Sequence, residues 1–159
     1  LIDVAVVTSP FADKTGLNIN VIKKLQDIVA AGNGFSYLKD KEISLHELVK
    51  YPLICLKNTT TTRNYLDHIF RQHNLLLRPD IELTSINFVM PMVKNNLGIG
   101  FMQYATTKAE IEAGNIFRVN TKEQIPPRSI CAVTASQYET PEPVQRFIDS
   151  LLEKESVNI

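Results

Sequence analysis

Thr59, Thr60, Thr61 and Thr62 form an unbroken hydroxyl run, with Lys57 and Arg63 close on either side. The run follows the apolar stretch Leu53-Ile54-Cys55-Leu56 and leads into a segment with helical spacing. The start of a helix exposes amides that have no partner within the helix and carries a partial positive charge, and hydroxyls add donors. Such a corner suits a carboxylate, sulfate or phosphate group. The same residues also fit a plainer role, in which one threonine caps the helix and the others form a solvated loop.

Other candidate chemistry is sparser. Leu97-Gly98-Ile99-Gly100 is not a dinucleotide fingerprint, because its glycines enter a strand and do not lead from one into a helix. They read as a helix-to-strand turn where small residues permit close packing. His68 and His73 are five positions apart, so a helix would separate them by about 140°. With His46 they do not make the converging set that zinc needs. Cys55 and Cys131 each lie inside an apolar run and read as reduced core thiols, not a redox switch. No Gly-x-Ser-x-Gly elbow, P-loop or His-Glu-x-x-His pair occurs. Glu110 and Glu112 read as solvated on a short polar helix. The expectation is a protein that is not an enzyme and needs no cofactor or metal.

The elements that must position the threonines alternate between strand and helix. Strands are expected at 2–8, in one or two pieces within 19–30, and at 53–56, 80–84, 97–102, 116–119 and 129–135. Ser44-Leu45-His46-Glu47 fits a capping box that opens a short helix. A longer helix carries Tyr65, Leu66, Ile69, Phe70 and His73 on one face. Ser85 or Asn87 caps the next, with Pro91 in its first turn or at a kink, and Asn95-Asn96 ends it. Thr106 or Thr107 caps a helix that Gly114 stops. Thr140 caps the last, with Pro141 at its first position and Val144, Phe147, Ile148, Leu151 and Leu152 as its apolar stripe. This order implies an α/β fold with a largely parallel or mixed sheet, in which ligands bind beyond the carboxyl ends of strands. The loops after Val7, Leu56, Thr84 and Met102 are therefore the places to look.

Composition sets outer bounds. The 159 residues are 44% hydrophobic and 21% charged, enough apolar material for a core without a disulfide or metal staple. Lys plus Arg is 17 and Asp plus Glu is 17, a formal net charge of zero. A domain that grips DNA unaided normally carries a basic excess, so a nucleic-acid binder in its own right is not expected. No apolar run reaches the length of a membrane span. The start, Leu1-Ile2-Asp3-Val4-Ala5-Val6-Val7, reads as a strand and not a signal peptide. The reduced thiols favour the cytoplasm.

The order of segments resembles the effector-binding domain of LysR-type transcriptional regulators. The likeness lies in Ile2-Asp3-Val4-Ala5-Val6-Val7; in Ile43-Ser44-Leu45-His46-Glu47-Leu48 followed by Tyr51-Pro52-Leu53-Ile54; in Arg63-Asn64-Tyr65-Leu66-Asp67; and in Met92-Val93-Lys94-Asn95-Asn96-Leu97-Gly98-Ile99-Gly100. Arg128-Ser129-Ile130 and Phe147-Ile148-Asp149-Ser150-Leu151 resemble the family's closing strand and helix. Asn96 stands where the family usually has Gly, and Tyr104 falls near a common Pro.

The resemblance implies a periplasmic-binding-protein-like (type 2) fold of two Rossmann-like lobes with a mixed sheet, and a small-molecule effector in the cleft between them, which the threonine corner leads us to expect is anionic. It implies that lobe one is only partly present, as residues 1–8 and 137–159, with 9–136 as lobe two. It also implies a chain that begins inside its domain, downstream of a winged helix-turn-helix that makes the DNA contact. The loops it carries over as effector ligands are Thr8-Ser9, Thr59 to Thr61 and Met102-Gln103. Ser85 is added from its place between a strand and a helix. A cytoplasmic homo-oligomer, without membrane contact, follows from the same likeness. The competing reading is a solute-binding protein of an uptake system, which shares the fold.

Overall fold

The computed structural model describes residues 2–11 and 14–156, with side chains to residue 154. The chain divides into two compact units, one of Leu1–Leu25 with Pro127–Ile159 and one of Gln26–Pro126. These bounds differ from 8/9 and 136/137. Residues 17–25 and 128–135 are joined to the first strand in one sheet, a pairing between distant segments that local patterning does not reveal.

In the first unit, β1 (Ala5–Thr8) and β2 (Leu17–Leu25) flank β9 (Arg128–Ala135), both antiparallel to it. The first strand is thus shorter than the apolar run 2–8. A bulge between Val21 and Lys23 shifts the β2 register. The last helix, α5 (Glu142–Ser156), starts one residue later than expected: the Val144 and Gln145 amides donate to the Pro141 carbonyl, so Pro141 is the cap. Pro143 lies in the first turn, where a missing amide costs nothing. Ile148 is buried beneath α5, while Phe147 remains exposed.

The second unit holds a six-stranded mixed sheet. Its strands are β3 (Asp27–Gly32), β4 (Glu42–Ile43), β5 (Leu53–Leu56), β6 (Ile81–Leu83), β7 (Ile99–Gln103) and β8 (Ile116–Thr121). The order across the sheet is β4-β8-β3-β7-β5-β6. β5 runs parallel to β6 and β7, β4 runs parallel to β8, and β3 is antiparallel to both of its neighbours.

Both faces of this sheet are covered, and the alternation of side chains divides two cores. Val29, Ala31, Leu53, Cys55, Ile99 and Phe101 face one cluster, with Leu45 and Leu48 of α1 (Leu45–Leu48) and Leu66, Ile69 and Phe70 of α2 (Thr61–Gln72). Ile28, Ala30, Ile54 and Met102 face the other, with Val89 and Val93 of α3 (Val89–Lys94). Each large aliphatic or aromatic side chain buried in this way contributes roughly 1.5–3 kcal/mol. Gly98 and Gly100 permit the close packing expected of them. A Cβ on Gly98 would stand 2.7 Å from the Pro52 carbonyl oxygen, and one on Gly100 would stand 2.7 and 2.8 Å from Val93 and Val89 methyls.

Besides α5, one further helix start departs from its local chemistry. Ser44 and Glu47 form the expected capping box around α1. Hydrogen bonds to Ser44 hold the Glu47 carboxyl below its ordinary pKa. Ser85 caps a 3-10 turn at Ile86–Phe88, which runs into α3 and leaves Pro91 in the first turn of that helix. α4 (Tyr104–Glu112) has Gln103 as its N-cap residue and is not capped by Thr106 or Thr107. Both threonine hydroxyls donate back to the Gln103 carbonyl, at 2.9 and 3.2 Å. Glu110 is likewise not simply solvated: it pairs with Lys94 at 2.9 Å and accepts from Asn115 at 2.7 Å, and these contacts lower its pKa. Among the described residues, no helix is long and apolar enough to cross a membrane.

Candidate functional site

The parallel registers Leu53↔Ile99 and Leu56↔Leu83 place the carboxyl ends of β5, β6 and β7 on one edge of the six-stranded sheet. The antiparallel pair Asp27↔Gln103 brings the start of β3 to the same edge. Thr59, Thr60 and Thr61 leave β5 there, Ser85 follows β6, and Met102-Gln103 ends β7. Six of the sequence-derived candidates therefore share one edge of one unit. Thr8 and Ser9 belong to the other unit. There the Ser9 amide donates to the Ser129 carbonyl, and the Ser9 hydroxyl accepts from the Ser129 amide, both at 2.8 Å.

Within the threonine run the roles divide. Thr60 is the N-cap of α2: its hydroxyl accepts from the Arg63 amide at 3.2 Å and donates to the Lys57 carbonyl at 2.8 Å. The Thr60 amide also donates to that carbonyl, at 3.0 Å, which closes a tight turn over 57–60. Thr59 and Thr61 are exposed, as is Lys57. The first intrahelical bond of α2 runs from Asn64 to the Thr60 carbonyl. The first turn thus presents its amide end beside the exposed Thr59 and Thr61, with the exposed Lys57 at the start of the same turn, an arrangement suited to an oxyanion.

Ser85 is half-buried, and its hydroxyl meets the Asn87 amide at 3.4 Å. Gln103 is also half-buried at the strand end. Its neighbour Tyr104 donates through the backbone to the Gln26 carbonyl at 2.8 Å. Met102 is 3% exposed and packs in the α3-side core, so its side chain is committed to the interior.

Arg63 does not stand beside the threonines as a free cation; it turns inward. Its Nε donates to Asp67 at 2.9 Å, its Nη1 to the Leu56 carbonyl at 3.1 Å and to Glu82 at 2.7 Å, and its Nη2 to the Leu77 carbonyl at 3.1 Å. Burial opposes the charge on Arg63, but the bonds to Glu82 and Asp67 outweigh it and raise the pKa further. The Arg63–Asp67 spacing of four was readable as a helical ion pair. Glu82 and the two carbonyls had no such local signal.

Both cysteines are buried free thiols. Burial pushes the Cys55 thiol up to about 12, and it raises that of Cys131 as well. Among the described residues, no group of three or more His, Cys, Asp or Glu side chains is placed to hold a metal ion.

Residues 1–156 match the family model described as the LysR substrate binding domain. A curated relative, the HTH-type transcriptional activator CmpR of Synechocystis sp., is 29% identical over 90 residues, which cover 55% of this chain and 30% of the relative. The chain thus spans under a third of that protein's length in the match. The fold is shared with the Synechocystis PCC6803 CcmR regulatory domain in complex with 2-PG, at a TM-score of 0.79 and 18% identity, covering 95% of this chain and 72% of that one. It is shared also with the effector-binding domain of QuiR in complex with shikimate, at a TM-score of 0.75 and 18% identity, covering 96% and 71%. The reduced form of OxyR from N. meningitidis aligns at a TM-score of 0.71 and 14% identity, covering 96% and 70%.

Proposed function

The chain belongs to the LysR substrate-binding domain family, and on that premise we propose that it senses a small anionic molecule on behalf of a DNA-binding transcriptional regulator. The observation that carries the anionic reading is the grouping of Thr59, Thr61, Lys57 and the amide end of α2 on the edge where β5, β6 and β7 finish. Ser85 and Gln103 stand at neighbouring strand ends and supply further polar contacts. Met102 contributes backbone, since its thioether is buried.

The family is one of regulators and not of enzymes. The neighbouring regulatory domains from Synechocystis and from QuiR hold 2-PG and shikimate, both small molecules. That precedent supports a small effector here. In this reading the protein acts in the cytoplasm as a homo-oligomer, and DNA contact falls to a winged helix-turn-helix outside these 159 residues, consistent with their zero net charge.

Thermal denaturation with a panel of small anions and their neutral analogues tests the reading. An effector at a hundred times its Kd stabilises the folded state by about 2.7 kcal/mol. A saturable rise in Tm with carboxylates or phosphates, absent with the neutral analogues, is expected. Stabilisation by neutral analogues alone contradicts the anionic reading.

A further inference from the structure

The geometry points to Arg63 as the positioning residue of the 57–60 turn, acting from beneath it through the Leu56 carbonyl and Glu82. This deepens the effector-site reading, on which its functional consequence rests.

Arg63 is 6% exposed, and its guanidinium joins four separate pieces of chain. It reaches Asp67 one turn along α2, Leu56 at the end of β5, Glu82 in the middle of β6, and Leu77 in the connection between α2 and β6. Leu56 is the last residue of β5 before the turn, and the Lys57 amide donates to the Leu83 carbonyl at 2.9 Å. The turn therefore leaves the sheet from a point fixed on one side by the strand ladder and on the other by Arg63. The backbone of Arg63 closes the arrangement, because its amide is the group that Thr60 caps. One residue thus holds the cap through its main chain and the base of the turn through its side chain.

The planar fork is what allows this. A guanidinium offers five donors at fixed angles, whereas an ammonium is a compact point charge with three. A lysine at 63 retains the charge but does not reach two carbonyls and two carboxylates at once. The four bonds also leave Arg63 outside direct ligand contact, so its effect on an effector is indirect. It sets where Thr59, Thr61 and the first amides of α2 stand.

Site-resolved amide hydrogen exchange on the intact chain without ligand tests this independently of any effector. The variants are Arg63→Lys, Arg63→Gln and Glu82→Gln, the last keeping an oxygen acceptor at a half-exposed position. Faster exchange at the Lys57, Thr60 and Asn64 amides, by about tenfold or more for a lost charged hydrogen bond, is expected in Arg63→Lys. The β3 and β7 amides should hold within about twofold, since those strands lie outside the opened segment. Glu82→Gln should show a smaller change at the same three amides. A uniform rise across β3, β7 and α2 would show that Arg63 stabilises the unit as a whole, and it overturns the assignment. So does unchanged exchange at the turn. If neither Arg63 variant folds, Glu82→Gln decides by the same criteria. Failure of every anion to bind the unaltered chain would sink the effector reading and leave this exchange result standing.

Discussion

The side-chain oxygen of Asn96 accepts the Gly34 amide at 2.7 Å, which ties the turn after α3 to the turn after β3. Asn96 has φ at 60°, the left-handed conformation that ends a helix. The fit is close: a Cβ on Gly32 would come within 2.3 Å of the Val93 carbonyl oxygen and 2.5 Å of the Asn96 side-chain oxygen. Asn96→Ala should cost about 2 kcal/mol, combining the left-handed penalty for a residue with a Cβ and an orphaned amide. Asn96→Gly should cost less, because glycine relieves the backbone and loses only the hydrogen bond. Gly32→Ala should cost more than either, since backbone must move. Urea melts of the three variants give the order. Equal stability of Asn96→Ala and Asn96→Gly would remove the backbone part of the argument.

Cys55 should be chemically silent in the native protein. Its thiol is held up to about 12 chiefly by burial, against only a partial opposing effect of Arg63. Thiolate, not thiol, is the nucleophile. Titration with a disulfide reagent at pH 8 should proceed slowly on the folded chain and quickly in denaturant. The linkage has a definite sign: a thiol whose folded pKa lies above its unfolded value of 9.0 contributes stability below pH 9 that is lost as pH rises towards 12. A Cys55→Ser variant with an unchanged alkaline melting profile would assign that loss to other groups.

The threonines should separate by role. Thr60→Val removes the cap of α2 and should lower stability by about 1 kcal/mol. Thr59→Val and Thr61→Val touch exposed hydroxyls and should leave the melting temperature nearly unchanged. If either hydroxyl donates to a charged effector, its loss weakens binding by roughly 1.5–3 kcal/mol, or about ten- to hundredfold. Calorimetric titration beside the melts distinguishes the cases. Unchanged affinity in both Thr59 and Thr61 variants would remove the hydroxyl contacts from the site.

Much of the fold was legible because its signals are local. The capping box at Ser44 and Glu47, the left-handed stop at Asn96 and the apolar face of α2 each depend on residues within a few positions. Where hydroxyls compete, local reading falters: Thr106 and Thr107 offer cap chemistry, yet a threonine inside a helix can also bond back to a carbonyl three or four residues earlier. They do so, and Gln103 takes the N-cap position of α4. Long-range pairing was out of reach. Nothing near Arg63 in sequence announces Glu82, and nothing near β2 announces β9, so both the inward turn of Arg63 and the division of the two units depended on the folded structure. The edge that gathers Thr59, Thr61, Ser85 and Gln103 was foreseen as separate loops, and strand order brings them together.

This edge is the proposed receptor of a small anion. The most direct test is an amide chemical-shift titration of the isotopically labelled chain with sulfate, phosphate, shikimate and 2-PG. Saturable shifts are expected for at least one of them, largest in the amides of 57–63 and smaller at 84–87 and 103–104, with the β8 and α1 amides still. Saturable shifts centred elsewhere in the 26–126 unit, with 57–63 unmoved, would contradict it.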